Sequence, residues 1–272
     1  MRERLLNLPD RNDDMIRIGP GGTGGLGFEL GLERIYELGL SALEVEFTHG
    51  ITMKNETAKT VGNIAKKLGI SLSIHSPYFV NLASAEKPKI IASKQRILQS
   101  CERMHHMGGG HVVFHPAYFG KVDAKDVYDM VKDAVVEMMG EIKDKGWNVI
   151  LAMETTGKHS AFGSLEETIS IVKETGCAFT IDFAHLKARS AGQMSYAEML
   201  DKIKGFKHIH SHFSGIEWTS KGEKGHILTP EKDMRELLSE VVKRKLDITI
   251  INESPDVIGD AYKMKKILDS LH

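Results

Sequence analysis

Six side chains able to bind a metal ion occupy one kind of position in this sequence. His75, His115, Glu154, Asp182, His210 and Glu253 close the short runs ISLSIH, GHVVFH, WNVILAME, CAFTID, FKHIH and LDITIINE. Imidazole nitrogens mixed with carboxylate oxygens suit zinc, manganese or iron. Converging carboxylates repel and shift one another's pKa, and a shared cation removes that conflict. A lone histidine at a strand end is more often a hydrogen-bonded core or surface residue, and a lone carboxylate there more often caps a helix. Repetition over consecutive runs reverses that balance. Alternation along a strand gives a separate check. Leu72 and Ile74 lie opposite His75, and Val112 and Phe114 opposite His115. Val149, Leu151 and Met153 oppose Glu154, and Phe179 and Ile181 oppose Asp182. The apolar set belongs against a helix layer, which turns the polar residue toward a common axis. Asn252 interrupts the apolar face of the last run.

Two following loops add donors. IDFAHLKAR carries His185, and HSHFSGIEWTSKGEKGH carries His212, Glu223 and His226. His208, His210 and His212 share a face if their strand continues, with His208 one layer deeper as a core residue.

These residues need a scaffold that brings strand ends to one axis. Strand-length apolar runs fall near 15–19, 41–47, 70–75, 110–115, 147–154, 177–182, 206–210 and 246–253. Between and after them, helical periodicity covers 27–39, 55–68, 86–107, 123–145, 164–175, 195–203, 231–244 and 257–271. Asn55 and Ser164 are N-cap types, Pro230 stands at a helix start, and Gly39, Gly69, Gly108, Gly146 and Gly176 follow helix ends. Eight strand–helix units in 272 residues predict a single-domain α/β fold, a closed (β/α)8 TIM barrel, whose chemistry sits at the C-terminal strand ends. The barrel is expected over 15–272, with residues 1–14 a polar N-terminal arm lacking the apolar stretch of a secretory signal.

Composition narrows the function. The net charge is −1, which supplies no global positive field for nucleic acid, so anion binding needs a local patch. No window reaches the ~18 apolar residues of a membrane span. Two cysteines make no disulfide framework and fit a reducing, cytoplasmic compartment. Nothing in the sequence calls for an obligate protein partner. Gly19-Pro-Gly21-Gly22-Thr-Gly24, with Glu44 about twenty residues on, matches a dinucleotide fingerprint. That reading leaves the strand-end residues unexplained, and it is set aside.

The motifs GGTGGL, IHSPYFVNLAS, VVFHPAYFG, AMETTGK, TIDFAHLKAR, HIHSHFSG and IINESP, in this order and at these strand ends, resemble the endonuclease IV family. These are the zinc-dependent AP endonucleases (AP endonuclease family 2) that cut DNA beside abasic sites. They share a barrel superfamily with xylose isomerase-like enzymes. The resemblance runs from Met15 to the end. It implies a hydrolase holding up to three zinc ions, with manganese as an alternative, whose partner is duplex DNA carrying an abasic site. His75 and His115 would hold one ion, and Glu154 would bridge to a second completed by Asp182, His210 and Glu253. His185 and His226 would hold the third with an acidic residue just before His226. The family pairs Asp-x-His there, but this chain reads Glu223-Lys224-Gly225-His226. Glu223 takes the role over a loop one residue longer, with His212 or Glu217 as substitutes.

The implied reaction is metal-assisted phosphodiester hydrolysis, with Glu154 the catalytic carboxylate that orients the nucleophile. Tyr78 and Phe79 fall where the family inserts a wedge into the duplex. Lys158, Lys187, Arg189, Lys221 and Lys224 lie on the same face and could meet phosphates. FTHGITM after the second strand lacks the basic and amide residues expected of the family. The rival is a divalent-metal sugar or sugar-phosphate isomerase or epimerase on the same barrel. There Glu154 and Glu253 would be the acid–base pair, and Asp182 and His210 the ligands. A third class, a barrel keeping its metal for stability alone, predicts binding without turnover.

Overall fold

The computed structural model describes residues 15–271, and the arm expected over 1–14 lies outside them. In chain order the elements are β1 Ile16–Pro20, α1 Phe28–Glu37, β2 Ala42–Glu46, α2 Asn55–Leu68, β3 Ser71–His75, α3 Lys87–His106, β4 His111–Phe114, β5 Ala117–Tyr118, α4 Ala124–Asp144, β6 Ile150–Glu154, β7 Ala161–Phe162, α5 Leu165–Thr175, β8 Ala178–Asp182, α6 Phe183–Arg189, α7 Tyr196–Lys202, β9 Ile209–Phe213, β10 Gly215–Thr219, β11 Gly222–Ile227, α8 Glu231–Arg244, β12 Ile248–Asn252 and α9 Val257–Ser270.

Eight of the strands form one parallel sheet in the order β1-β12-β9-β8-β6-β4-β3-β2. Its two outer strands meet. Ser41 N donates to Ile18 O at 3.0 Å and Gly22 N to Glu44 O at 2.8 Å, which wraps the sheet into a barrel. The approach is close enough that a Cβ on Gly19 would overlap the Ala42 backbone. Gly19 therefore serves barrel closure, and the molecule is a single TIM barrel, as the alternation of elements predicts.

Alternation along each strand separates two layers. Ile74, Val112, Phe114, Leu151, Met153, Phe179, Ile181, Ile248 and Ile250 are buried against the helices. Each such side chain contributes ~1.5–3 kcal/mol. Glu44, Ser73, His75, Glu154, Thr180, Asp182, His210 and His212 are buried on the opposite, axial face. Local chemistry fixes helix ends. Ser164 accepts from Glu167 N while the Glu167 side chain returns to Ser164 N, a complete capping box opening α5, and Gly176 ends it in the left-handed region. Asn55 is not the cap expected of it; Lys54 holds that position, and the Asn55 amide bonds Glu102 and Arg103 of α3 instead.

Three features depart from the expected elements. The seventh barrel strand, expected over 206–210, is Ile209–Phe213. Phe206 lies before the strand and packs its ring 4.7 Å from Phe179 on the outside. The segment after Asp182 is not loop but α6, begun at once because the Asp182 side chain caps it by accepting from His185 N at 2.8 Å. The polar stretch before His226 folds as the antiparallel hairpin β10–β11. Among the described residues no helix is long and apolar enough to cross a membrane, and both cysteines are free and buried.

Candidate metal centre

Glu154, at the end of β6, stands at the middle of the barrel mouth. Its Oε2 lies 3.0 Å from His75 Nε2 and 2.8 Å from His115 Nε2. Its Oε1 lies 3.1 Å from His212 Nδ1 and 3.3 Å from His185 Nδ1. One carboxylate thus touches four imidazoles from four segments. Parallel pairing sets Glu46 opposite His75 and Asp182 opposite His212, whereas His75 pairs with Val113 and Glu154 with Thr180, so the neighbouring strand ends there are staggered by two residues.

Around this centre are several groups whose ligand atoms lie within 4.8 Å of one another. They are His75–His115–Glu154, Glu154–Asp182–His212–Glu253, Asp182–His185–His226 and His75–His212–Glu253. The remaining ring nitrogens are held from behind. His75 Nδ1 donates to Ser76 O at 2.7 Å, and His185 Nδ1 to Thr155 O at 3.0 Å. His226 Nδ1 pairs with Ser214 Oγ at 2.8 Å. Such partners orient the ring and leave its other nitrogen free for a ligand bond.

The extension of β9 moves the strand-end position from His210 to His212. His210 lies one layer deeper, with Nε2 2.8 Å from Glu44 Oε2. Glu44 also accepts from Ser73 Oγ at 2.6 Å, and its Oε1 lies 2.7 Å from His212 Nε2. Glu44 is therefore a buried carboxylate that steadies the far side of His212. His208 is lower still, with Nδ1 2.8 Å from Asp247. Glu223 reaches the mouth from β11, its Oε2 3.6 Å from His185 Nε2. It comes close because residue 157 is glycine; a Cβ there would lie 2.7 Å from Glu223 Cβ and 3.1 Å from His185 Cδ2. Glu217 points elsewhere and pairs with Lys224 at 2.8 Å.

The electrostatics describe an acidic site short of positive charge. Burial pushes Glu253 up to about 7 against the pull of His212. Burial likewise raises Glu46, at the end of β2, to about 7 against His75. Burial works to raise Glu154 too, but the charges of His115 and His212 hold it well below the carboxylate range. Burial would lower His75, yet the Glu154 hydrogen bond and the Glu46 charge raise it to about 10. Glu44 Oε1, both oxygens of Glu46, Asp182 Oδ2 and Glu253 Oε1 are buried without an aligned hydrogen bond. Buried acceptors without donors are costly, and cations would satisfy them. The donor set of imidazoles and carboxylates therefore fits divalent metal.

A cavity of about 270 Å³ opens beside the cluster, lined among others by Tyr78, His115, Tyr118, Lys158, Glu223 and Glu253. Tyr78 leans on the ligands, its ring 4.9 Å from His75 and 5.5 Å from His115. Phe79 is half exposed on the rim, under the Arg96 guanidinium at 4.6 Å. Of the basic residues expected to meet phosphate, Lys187 pairs with Asp233 at 3.0 Å and Lys224 with Glu217. Arg189 Nη1 donates to the carbonyls of Thr156, Lys158 and Ala161, at 3.4, 2.8 and 3.1 Å. Lys158 lines the cavity. Sequence reasoning overlooked Glu44 and Glu46 as site residues. The signal was present in ALEVE, where Leu43 and Val45 face the helices and both glutamates face the axis.

Comparison with known proteins agrees with the fold. The chain is 31% identical over 247 residues to an uncharacterized protein of Methanocaldococcus jannaschii, covering 86% of this chain and 89% of that one. It is 22% identical over 171 residues to a probable endonuclease 4 of Mycobacterium leprae, covering 61% of this chain and 66% of the relative's own length. Among solved structures, endonuclease IV from Thermus thermophilus superposes with a TM-score of 0.65 at 17% identity, covering 94% of this chain and 97% of that one. A D-tagatose 3-epimerase-like protein superposes with a TM-score of 0.71 at 18% identity, covering 93% and 96%. The family model described as xylose isomerase-like TIM barrel matches residues 32–271. With that match over most of its length and the barrel it describes in place, the chain belongs to the xylose isomerase-like TIM barrel family.

Proposed function

We propose that this protein is a zinc-dependent hydrolase that cuts the phosphodiester bond beside an abasic site in DNA, with manganese as the alternative ion. The observation that carries the reading is the convergence of His75, His115, His185 and His226 on the same mouth as the Glu154–Asp182–His212–Glu253 group. An isomerase needs only the latter group; the additional imidazoles supply ligands for more than one ion. His75, His115 and Glu154 would hold a first ion, and Glu154, Asp182, His212 and Glu253 a second. His185, His226 and Glu223 would hold a third, while His210 supports His212 through Glu44. Bound divalent ions supply activated water and offset charge on the phosphate.

The chain's own groups do the rest. Glu154 presents an oxygen toward each half of the cluster and orients the attacking water. Tyr78 packs on the ligands and closes one wall, with Phe79 on the rim as the wedge. Lys158 supplies a cation on the cavity lining. A cavity of about 270 Å³ admits one sugar-phosphate unit but not stacked base pairs, which calls for a nucleotide extruded from the duplex.

The cavity size equally favours a second reading, a sugar or sugar-phosphate epimerase acting through Glu154 and Glu253. One experiment separates them. Metal content is measured, and the protein is incubated with a duplex carrying a single abasic site, with and without chelator. The nuclease reading expects metal-dependent cutting at the site, abolished in Glu154→Gln. No cutting together with a single bound ion sinks it and leaves the epimerase standing.

A further inference from the structure

Glu46 has no role in either reading, yet it carries the largest unmet demand in the barrel mouth. It ends β2, and register with β3 sets it beside His75. Both of its carboxylate oxygens are buried without a hydrogen-bond partner. Its side chain turns over Gly21 to face Glu253. A Cβ on Gly21 would lie 3.3 Å from Glu46 Oε1 and 3.5 Å from Glu253 Cγ. The missing side chain at residue 21 is what gives the two acids room to meet. Glu253 Oε1 is also unpartnered, and it lies 3.3 Å from His212 Nδ1.

The nearby set His75–His212–Glu253 has its ligand atoms within 4.8 Å of one another, and it cuts across the ion assignments made above. A carboxylate buried with both oxygens bare is strongly unfavourable unless a cation meets it. No lysine or arginine pairs with Glu46 in any ion pair among the described residues.

We infer that Glu46 is a further metal ligand, standing with His75, His212 and Glu253 on the β1–β2 side of the mouth and adding a carboxylate oxygen to the ions those residues would hold. The inference rests on the metal-centre reading above and adds a ligand that neither the hydrolase nor the epimerase assignment uses. Gly21 is the positioning residue of this site through the space it leaves.

The test compares metal-stripped full-length wild type with Glu46→Gln, which keeps the shape and removes the charge. Zinc is titrated against a chromophoric chelator, and thermal unfolding of both metal-free proteins is recorded at the same pH. The expected result is that Glu46→Gln binds its weakest-held ion about 10-fold or more less tightly, a loss at least as large as that of an outer ligand partner. The metal-free variant should unfold at a temperature no lower than metal-free wild type, because a bare buried charge has been removed. Glu46→Asp, which keeps the charge and shortens the reach, should also weaken binding and serves if the glutamine variant does not fold. Unchanged stoichiometry and affinity in the variants overturns the inference. Weaker binding accompanied by a less stable metal-free Glu46→Gln also overturns it, by assigning Glu46 a structural role. If wild type binds no zinc, the metal-centre reading fails together with this inference.

Discussion

Glu154 shows how one residue organises the mouth. Each of its oxygens meets two imidazoles, so it gathers charge from β3, β4, α6 and β9. The price is a site crowded with protons when no metal is present. Glu46 and Glu253 titrate near 7 and His75 near 10, so at neutral pH His75 is charged and the two acids are partly protonated. Metal binds the deprotonated forms. Zinc uptake at pH 7 should therefore expel protons, and affinity should rise from pH 6 toward 9. Calorimetry in two buffers of different ionisation heat reads the proton count directly, and a net release of zero would refute this. The same groups set a stability slope. In the metal-free fold the two acids keep protons that the unfolded chain gives up above 4.5, and His75 keeps one that it gives up above 6.5. Their contribution is full below those values. It is lost as pH rises through about 7 for the acids and about 10 for His75.

The hairpin β10–β11 and the loop from β6 to β7 act together at the scale of elements. Glu223 N donates to Gly157 O at 3.1 Å and His159 N to Lys221 O at 3.2 Å, so the two segments support each other over the cavity. Arg189 at the end of α6 clamps the same loop from below through its carbonyls. Arg189→Ala should leave those carbonyls short of a partner and cost ~1–3 kcal/mol. It should weaken the ion proposed on His185, His226 and Glu223 while sparing the one on His75 and His115. Metal per chain after graded chelation checks this; equal loss of all ions would argue against a local clamp. Here the limits of sequence reading are visible. The barrel strands and long helices were legible because their apolar periods are clean and their ends carry glycine or a cap. The hairpin was not, because GIEWTSKGEKGHI alternates only over Ile216 and Trp218 and its Ile216 packs on Ala184 and Ala188 of α6, a helix itself expected to be loop. The end of β9 was misplaced because Phe206 mimics a strand residue, and that two-residue shift exchanged His210 for His212 at the rim. Glu44 and Glu46 follow the same parity as the other ligands, but β2 runs into FTHGITM, whose departure from the family pattern masks them.

The candidate ligands come from distant segments that the barrel brings together, so the proposed metal centre would link metal binding to the fold. An ion that binds only the closed barrel stabilises it by an amount set by its concentration over its dissociation constant, about 2.7 kcal/mol at a hundredfold excess. Stripping metal should lower the unfolding temperature, and restoring zinc should recover it. Chelation with no change in unfolding temperature would break the link between site and fold. The barrel also explains a near-neutral protein with an acidic heart: its net charge of −1 hides a cluster of carboxylates at the axis.

The order in which ligands occur along the chain has a further consequence. His75, His115 and Glu154 are all present once β6 has been made, whereas the set with His212 and Glu253 is incomplete until β12 emerges. During synthesis on the ribosome, from the N-terminus onward, the first group is complete while three of the eight barrel strands, β8, β9 and β12, are still to be made. The set with Glu253 can meet its ion only after the last strand has been made. The proposed metal centre would thus be assembled in chain order, and an ion held by Glu253 would register that the ring of strands is complete.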